Sequence, residues 1–275
     1  MIPGLVTLAA IGCGGPTDDV GGTESALVGA NGFAVNGFAV NGFAVNGFAV
    51  NGFAVNGLAA NGFAVNGFAV NGFAVNGVAG TAVPMSPSAA AIARDPASRE
   101  LFKYIVSCAL PEGQLLTLQD QGVTYTFGGA LGVAPGWLSG PCDGSCQRWV
   151  TACVLSRVNH LGQHVEISMR GDNPALATAP HEEQLYTARE ASYYGNFFEA
   201  TPEVYTCLPP DATSISRVCG PSLSGCPMTV AGHCDDVCDG PGRHQTFRDC
   251  AATARTGAHD SRTTFPETIT VFLRP

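Results

Sequence analysis

Charge is the first feature that this chain of 275 residues has little of. No Asp, Glu, Lys or Arg lies between Glu24 and Arg94, and Lys103 is the only lysine in the sequence. The 13 basic residues are outnumbered by 22 acidic ones, which gives a formal net charge of −9. A basic surface for nucleic-acid phosphates is therefore not expected, and we predict no nucleic-acid partner.

Motifs of common catalytic and cofactor sites are also missing from the sequence. It has no Gly-x-Ser-x-Gly elbow, no Ser-x-x-Lys and no glycine-rich phosphate loop. His181 begins a partial metalloprotease motif, but Leu185 stands where the second histidine is required. The EF-hand pattern is absent too. The acidic residues that follow His233 leave a calcium-binding loop as an alternative. We therefore predict no cofactor and no metal site.

The N-terminal residues form a short apolar stretch that ends at Cys13. It is far shorter than the ~20 residues of a membrane-spanning helix, and its length suits an export signal. Residues 8–13 resemble the lipobox of bacterial lipoproteins, in which mostly small residues precede the cysteine. The resemblance implies a signal peptide over residues 1–12 and lipidation of Cys13. It also implies an extracytoplasmic location, anchored in the outer membrane or at the cell surface. Residues 13–30 are expected to form a flexible tether.

Residues 31–80 are ten consecutive five-residue units, eight of which read Asn-Gly-Phe-Ala-Val. A helix would scatter the Phe side chains, because each unit advances by about 140° around the axis. A straight strand would place successive Phe side chains on opposite faces, because strand side chains alternate. Asn-Gly is a strong turn signal. The pattern therefore predicts a bend in each unit and a short extended side, wound into a β-solenoid.

This repeat resembles the pentapeptide-repeat proteins, which fold as four-sided coils, and the resemblance covers only residues 31–80. Two alternatives stay open: a disordered spacer similar to elastin-like pentamers, and a cross-β segment that assembles between chains. All three are structural roles, because the repeat carries no acid, base, nucleophile or charged metal ligand. Residues 81–93, which contain Pro84 and Pro87, are predicted to be a linker.

Ten of the 11 cysteines lie in residues 94–275. An even number of cysteines in an exported chain favours disulfide bonds. The spacing within two cysteine pairs also suits zinc ligands, so a zinc site stays open as an alternative. Those two pairs are Cys142 with Cys146 and Cys234 with Cys238. The connectivity cannot be read from the sequence. The cysteines predicted to form disulfides are Cys108, Cys142, Cys146, Cys153, Cys207, Cys219, Cys226, Cys234, Cys238 and Cys250.

Helices are predicted early and strands later in residues 94–275, which indicates an α+β domain. Asp95-Pro96 is a helix start, and apolar residues follow it at helical spacing as far as Ala109. A second helix is predicted over residues 145–159. Cys108 and Cys153 then both lie on buried helix faces, so a disulfide between them would join the two helices. A hairpin is predicted over residues 115–127, and strands are predicted over residues 164–169, 193–198, 203–207 and 268–273.

Four histidines and four aromatic residues are the remaining candidates for a functional site in residues 94–275. His160 and His164 have the spacing of a helical zinc pair, but Gly162 interrupts the helix. Clustered aromatic residues could line a sugar or peptide groove, although in a disulfide-rich domain they more often form core. The histidines that we name as weak catalytic candidates are His160, His164, His181 and His233. The aromatic residues are Tyr193, Tyr194, Phe197 and Phe198.

The C-terminal region also resembles the uncharacterised cysteine-rich domains of predicted bacterial lipoproteins, a resemblance that implies no activity. It is carried by Cys146-Gln147-Arg148-Trp149-Val150 and Tyr194-Gly195-Asn196-Phe197-Phe198. The sequence therefore predicts a β-solenoid segment followed by a disulfide-rich α+β domain, in a lipid-anchored surface protein that binds rather than catalyses. Expected partners are the membrane, a cell-surface protein or glycan, and other copies through the repeat. The alternative is an extracytoplasmic hydrolase with its active site in residues 94–275.

Overall fold

The computed structural model describes residues 28–31, 83–84, 94, 96–138, 142–159, 165–199, 202–213, 215–223, 226, 228–254 and 263–275. None of the helices in these ranges combines the length and apolar character needed to cross a membrane. The α-helices are α1 (Pro96–Ala109), α2 (Gly144–Ser156), α3 (Glu182–Leu185), α4 (Ser216–Cys219) and α5 (Cys234–Val237).

The described strands form three sheets. Six of them make one mixed sheet in the order β1-β5-β11-β6-β7-β8, where only β7 and β8 are parallel. Strands β2, β3 and β4 form a second mixed sheet, and β9 pairs with β10. The strands are β1 (Val28–Asn31), β2 (Val83–Pro84), β3 (Leu115–Asp120), β4 (Val123–Gly128), β5 (Val165–Arg170), β6 (Ala188–Asn196), β7 (Glu203–Leu208), β8 (Thr229–His233), β9 (Cys250–Ala251), β10 (Thr264–Phe265) and β11 (Ile269–Leu273).

The predicted β-solenoid fold class is wrong for this structure. No sheet in the described residues is closed or solenoid-like. Asn31, where the first bend of the repeat was expected, instead ends strand β1 and pairs with Val165 of β5. Strand β1 pairs at the edge of the large sheet, where β5 offers free backbone donors and acceptors, and Asn31 is the one residue that β1 shares with the repeat. The remaining repeat residues, 32–80, lie outside the described residues.

Several predictions for the C-terminal region are confirmed at the level of single elements. Helix α1 begins at Pro96, the residue predicted to be its first, and β3 and β4 form the predicted hairpin. Helix α2 begins after Asp143, whose side chain accepts a hydrogen bond from the backbone N–H of Cys146 at 2.9 Å. A disulfide between Cys108 and Cys153 joins α1 to α2, as the buried faces suggested.

The large sheet packs against hydrophobic clusters on both faces, so neighbouring residues of one strand can both be buried. On one face, Ile167 and Tyr193 lie in the main hydrophobic core with α1 and α2. On the other face, Tyr194 packs in a second cluster with Phe247 and Phe265. Because strand side chains alternate, the neighbouring residues Tyr193 and Tyr194 serve different cores. The clustered aromatic residues are thus core residues rather than the lining of a groove.

A buried ion pair ties α4 to the large sheet. The Arg217 guanidinium donates to the Glu190 carboxylate at 2.6 to 3.0 Å, and to the carbonyls of Val158 and Ser156 at 2.7 and 3.0 Å. Burial by itself lowers the pKa of Arg217, but the facing Glu190 carboxylate more than offsets it and the pKa lies above its ordinary value. The guanidinium therefore stays charged inside the protein.

All ten C-terminal cysteines are paired in the structure, so the predicted disulfide bonding is shown. Cys142 bonds to Cys146, which removes that pair from the zinc alternative. The longest loop, closed between Cys108 and Cys153, spans a sequence separation of 45. Loop-closure entropy for such a length amounts to roughly 4 kcal/mol of stabilisation. The other bonds are Cys207–Cys234, Cys219–Cys226 and Cys238–Cys250.

Candidate functional site

The structure describes two of the four histidines named as catalytic candidates, His181 and His233. His160 and His164 lie outside the described residues. His181 is exposed at the start of α3, where its Nδ1 contacts Gln184 Oε1 at 3.3 Å. His233 is half-buried at the end of β8, and its Nδ1 donates to the Pro209 carbonyl at 3.0 Å. A carbonyl oxygen can only accept, so this bond places the proton of neutral His233 on Nδ1.

The Pro209 carbonyl belongs to the rim of a surface groove with a volume of about 690 Å³. Pockets of a few hundred to about 1,000 Å³ are typical of sites for small ligands. One wall comes from the turn after β7, and the opposite wall comes from the loop between Cys238 and Cys250. The groove is lined by Arg189, Pro209, Pro210, Asp211, Ala212, Pro241 and Gln245.

The first wall is a proline turn that ends strand β7. Pro209 and Pro210 cannot donate to a sheet ladder, because their backbone nitrogen carries no hydrogen. The chain turns there, and the N–H of Ala212 donates to the Pro209 carbonyl at 3.1 Å. The His233 side chain donates to the same carbonyl, which fixes the turn to the edge strand β8. Local sequence and one long-range hydrogen bond together set this wall.

The second wall is the loop between Cys238 and Cys250, which we call the disulfide loop. Its base is closed by the disulfide and by two backbone hydrogen bonds between Asp239 and Arg248, at 2.8 and 3.0 Å. Inside it, His244 and Gln245 both have positive φ, at 59° and 58°. Non-glycine residues rarely adopt this conformation, at about 1–3 kcal/mol each, and they persist where the surroundings hold them in place.

Two further contacts hold the disulfide loop against the body of the protein. Phe247 is almost completely buried in the second core, and its N–H donates to the Thr270 hydroxyl at 3.2 Å. On the outer side, His244 Nδ1 contacts the Glu183 carboxylate at 2.5 Å. Glu183 also accepts from the Thr178 hydroxyl, and these hydrogen bonds hold the pKa of its carboxyl below the usual range. The loop is therefore anchored at its base, its core side and its outer side.

The lining offers recognition groups of three kinds. The Arg189 guanidinium lies over the Phe247 ring, 4.9 Å from its centroid, and supplies a positive charge. Asp211 supplies an exposed carboxylate, and Gln245 supplies an amide that can both donate and accept. The three prolines present rigid apolar rings. Among the described residues that line the groove, none is a serine, cysteine, lysine or histidine. The arrangement suits binding of a ligand with both charged and apolar parts.

Comparison with protein-family models, with curated proteins and with solved structures found no significant match. The function is therefore inferred from the geometry of the groove.

The groove residues were not identified from the sequence. Two signals were present: the run Pro209-Pro210-Asp211 directly after a predicted strand, and Gly-Pro-Gly at residues 240–242. Each predicts a turn, but nothing in the sequence says that the two turns face each other. Their approach depends on the parallel pairing of β7 with β8 and on the Cys238–Cys250 bond, which are long-range features.

Buried polar residues near α3 were also missed. Glu182, which follows His181 in the partial metalloprotease motif, is buried and accepts a 2.6 Å hydrogen bond from the Ser168 hydroxyl. Arg170 donates to the same hydroxyl and lies over the Phe272 ring. These hydrogen bonds tie α3 to strand β5 of the large sheet.

Proposed function

We propose that this protein is exported, is anchored to lipid through Cys13 and binds a peptide-like ligand in the groove between the proline turn and the disulfide loop. The observation that carries the proposal is the construction of the groove. Both walls are held by long-range bonds, and the lining places one cation, one carboxylate and one amide among three proline rings. Such pre-organisation lowers the entropy lost on binding.

The disulfide content supports the extracytoplasmic part of the proposal. Five disulfides in the described residues suit an oxidising compartment, because cytosolic thiols are kept reduced. A lipid anchor on Cys13 would then present the groove to molecules outside the cell. Residue Cys13 itself lies outside the described residues.

The lining also supports a ligand class. Arg189 suits a carboxylate, because a guanidinium donates two parallel hydrogen bonds to it. Asp211 and Gln245 suit the N–H groups of a peptide backbone, and the proline rings suit an apolar or aromatic side chain. An extended peptide with an acidic residue next to an apolar one carries all of these groups. A binding role is favoured over the hydrolase alternative because the groove supplies contacts for a ligand, and its described lining residues include no serine, cysteine, lysine or histidine.

The test is selection of a displayed random dodecapeptide library on the full chain in detergent, followed by affinity measurement for the enriched peptides. We expect enrichment of peptides that contain Asp or Glu. Arg189→Glu should weaken their binding by roughly 10- to 100-fold, because a hydrogen bond to a charged group contributes about 1.5–3 kcal/mol.

Arg248→Glu is the matched control, because Arg248 is exposed at the base of the same loop but does not line the groove. It makes the same change of charge and should leave binding within about twofold of the original chain, as expected for a surface site. A library that shows no enrichment, or peptides that bind the Arg189→Glu and Arg248→Glu variants equally well, would contradict the proposed site.

A further inference from the structure

Four cysteines meet behind the groove and form what we call the sulfur cluster: Cys207, Cys234, Cys238 and Cys250. Cys207 belongs to β7, Cys234 begins α5, Cys238 directly follows α5, and Cys250 begins β9. Two disulfides, Cys207–Cys234 and Cys238–Cys250, account for the four sulfurs. All four side chains are buried in the second core.

The two disulfides touch. The Sγ atoms of Cys207 and Cys238, which belong to different bonds, are 3.6 Å apart. The Sγ atoms of Cys207, Cys238 and Cys250 all lie within 4.8 Å of one another. Two sulfurs at this distance are in van der Waals contact, so either one is placed to attack the other once it is a thiolate. The buried aromatic rings of Tyr194 and Phe247 belong to the same hydrophobic cluster as these cysteines.

We propose that the sulfur cluster is a thiol–disulfide exchange centre, in which reduction of either bond lets a Cys207–Cys238 disulfide form in place of the other. The reaction begins when an exported dithiol protein, or a small dithiol, reduces either bond. Exchange proceeds by attack of a thiolate on a disulfide sulfur, and it leaves the number of disulfides unchanged. The dithiol supplies the two electrons of the first step and is itself oxidised to a disulfide.

The atoms balance in both directions. If Cys238–Cys250 is reduced, Cys238 loses its proton and its thiolate attacks Cys207. The Cys207–Cys238 bond forms, the Cys207–Cys234 bond breaks, and Cys234 leaves as a thiolate that takes up a proton. If Cys207–Cys234 is reduced first, the Cys207 thiolate attacks Cys238 and releases Cys250 in the same way. Both routes end in the same new bond and leave Cys234 and Cys250 as free thiols.

Exchange would act on the groove through the disulfide loop. The Cys238–Cys250 bond closes the base of that loop, which carries Pro241 and Gln245 into the groove wall. In the exchanged form, Cys238 is tied to β7 and Cys250 no longer closes the loop. This consequence for ligand binding rests on the proposed function, whereas the exchange itself rests on the sulfur geometry alone.

The test maps disulfides in the full chain carrying Cys250→Ser, which leaves Cys238 without its partner. Free thiols are blocked with N-ethylmaleimide at low pH, and the bonds are identified by peptide mass spectrometry. The expected result is a shift of the mapped bond from Cys207–Cys234 to Cys207–Cys238, with Cys234 blocked. The reciprocal variant Cys234→Ser should give the same Cys207–Cys238 bond, with Cys250 blocked.

Cys226→Ser is the matched control, because it frees Cys219 in a disulfide that lies outside the sulfur cluster. Its other four bonds should stay as they are, with Cys219 blocked. A Cys250→Ser protein that keeps Cys207–Cys234 and carries a blocked Cys238 would overturn the proposal.

A second measurement decides the matter if the variants fail to fold. The unmodified full chain is treated with less than one equivalent of dithiothreitol per protein, quenched and mapped in the same way. A Cys207–Cys238 peptide as the main new species supports the exchange. New species dominated by simple loss of one bond, or by scrambling among all ten cysteines, would refute it. Peptide affinity is measured separately, so failure of the groove proposal would not be mistaken for failure of the exchange.

Discussion

Replacement of Arg217 by Met removes the centre of the buried ion pair between α4 and the large sheet. The guanidinium is 4% exposed and its partner Glu190 has a side chain that is 6% exposed, so water cannot replace the lost bonds. The variant would leave the Glu190 carboxylate without its cation. It would also remove the donors to the carbonyls of Val158 and Ser156 and a contact with the Tyr193 hydroxyl.

The size of the effect follows from these contacts. Removing one partner of a buried ion pair lowers the free energy of unfolding by about 3–5 kcal/mol. Each buried carbonyl left without a donor adds about 1–3 kcal/mol, although such terms are not fully additive. We therefore expect Arg217→Met to lower the free energy of unfolding by roughly 4–6 kcal/mol. The free energy of unfolding of a typical domain is only about 5–15 kcal/mol in total, so the variant should be close to unfolding.

The assay is urea unfolding of the full chain with its disulfides intact, followed by tryptophan fluorescence. Both tryptophans of the sequence, Trp137 and Trp149, lie in the described region, and Trp137 is buried. Arg248→Met is the control, because its pair with Asp172 is 3.9 Å long and 64% exposed on the Arg248 side. Such surface pairs contribute about 0–1 kcal/mol.

A double variant separates the charge from the packing. Adding Glu190→Leu to Arg217→Met removes the stranded carboxylate, so part of the lost stability, about 2 kcal/mol or more, should return. A loss below about 1 kcal/mol for Arg217→Met, a value at the level of surface pairs, would refute the reasoning. So would a double variant that is less stable than the single one.

Two further predictions concern acid stability and lipidation. Burial by itself raises the pKa of Glu267, but the hydrogen bonds from Arg148 at 2.5 and 3.0 Å outweigh it, so the pKa lies below its ordinary value of 4.5. The pKa of Glu267 is thus lower in the folded state than in the unfolded state. Its pair with Arg148 therefore stabilises the fold above about pH 4.5, and this stabilisation is lost as the pH falls through the folded-state pKa. The difference in unfolding free energy between the original chain and Glu267→Gln should thus be largest near neutral pH and vanish in acid, and a constant difference across pH would contradict this. Cys13→Ser should abolish incorporation of radiolabelled palmitate when the gene is expressed in a bacterium with lipoprotein processing, while Cys226→Ser should not, and labelling of the Cys13→Ser protein would disprove the anchor.

Local elements of the C-terminal region could be predicted because their signals lie close together in the chain. Pro96 at the first helical position and apolar residues at helical spacing predicted α1. The hairpin of β3 and β4 followed from its turn, in which Gln121 and Gly122 both have positive φ, at 48° and 80°. That turn geometry matches the twist of antiparallel strands, and glycine adopts it readily.

The solenoid prediction treated residues 31–80 as a self-contained unit. A strand that ends at Asn31 pairs instead with β5 of the C-terminal region, and the gain from completing a sheet edge depends on a partner that lies more than a hundred residues away in the chain. A repeat period describes only the order of residues within one segment. It does not indicate which distant strand that segment pairs with.

The sequence by itself determined the even cysteine count of residues 94–275, because a count needs no fold. It also determined the turn residues and the helix and strand periods, since these depend on residues within about a dozen positions of one another. Only the tertiary structure decided which of about 945 possible pairings the ten cysteines form. It inserted β11, from the end of the chain, between β5 and β6, and it brought the proline turn against the disulfide loop. The contact of Cys207 with Cys238 and the burial of Arg217 against Glu190 arise in the same way. They depend on distances through space, which are set when remote strands pair and share one core.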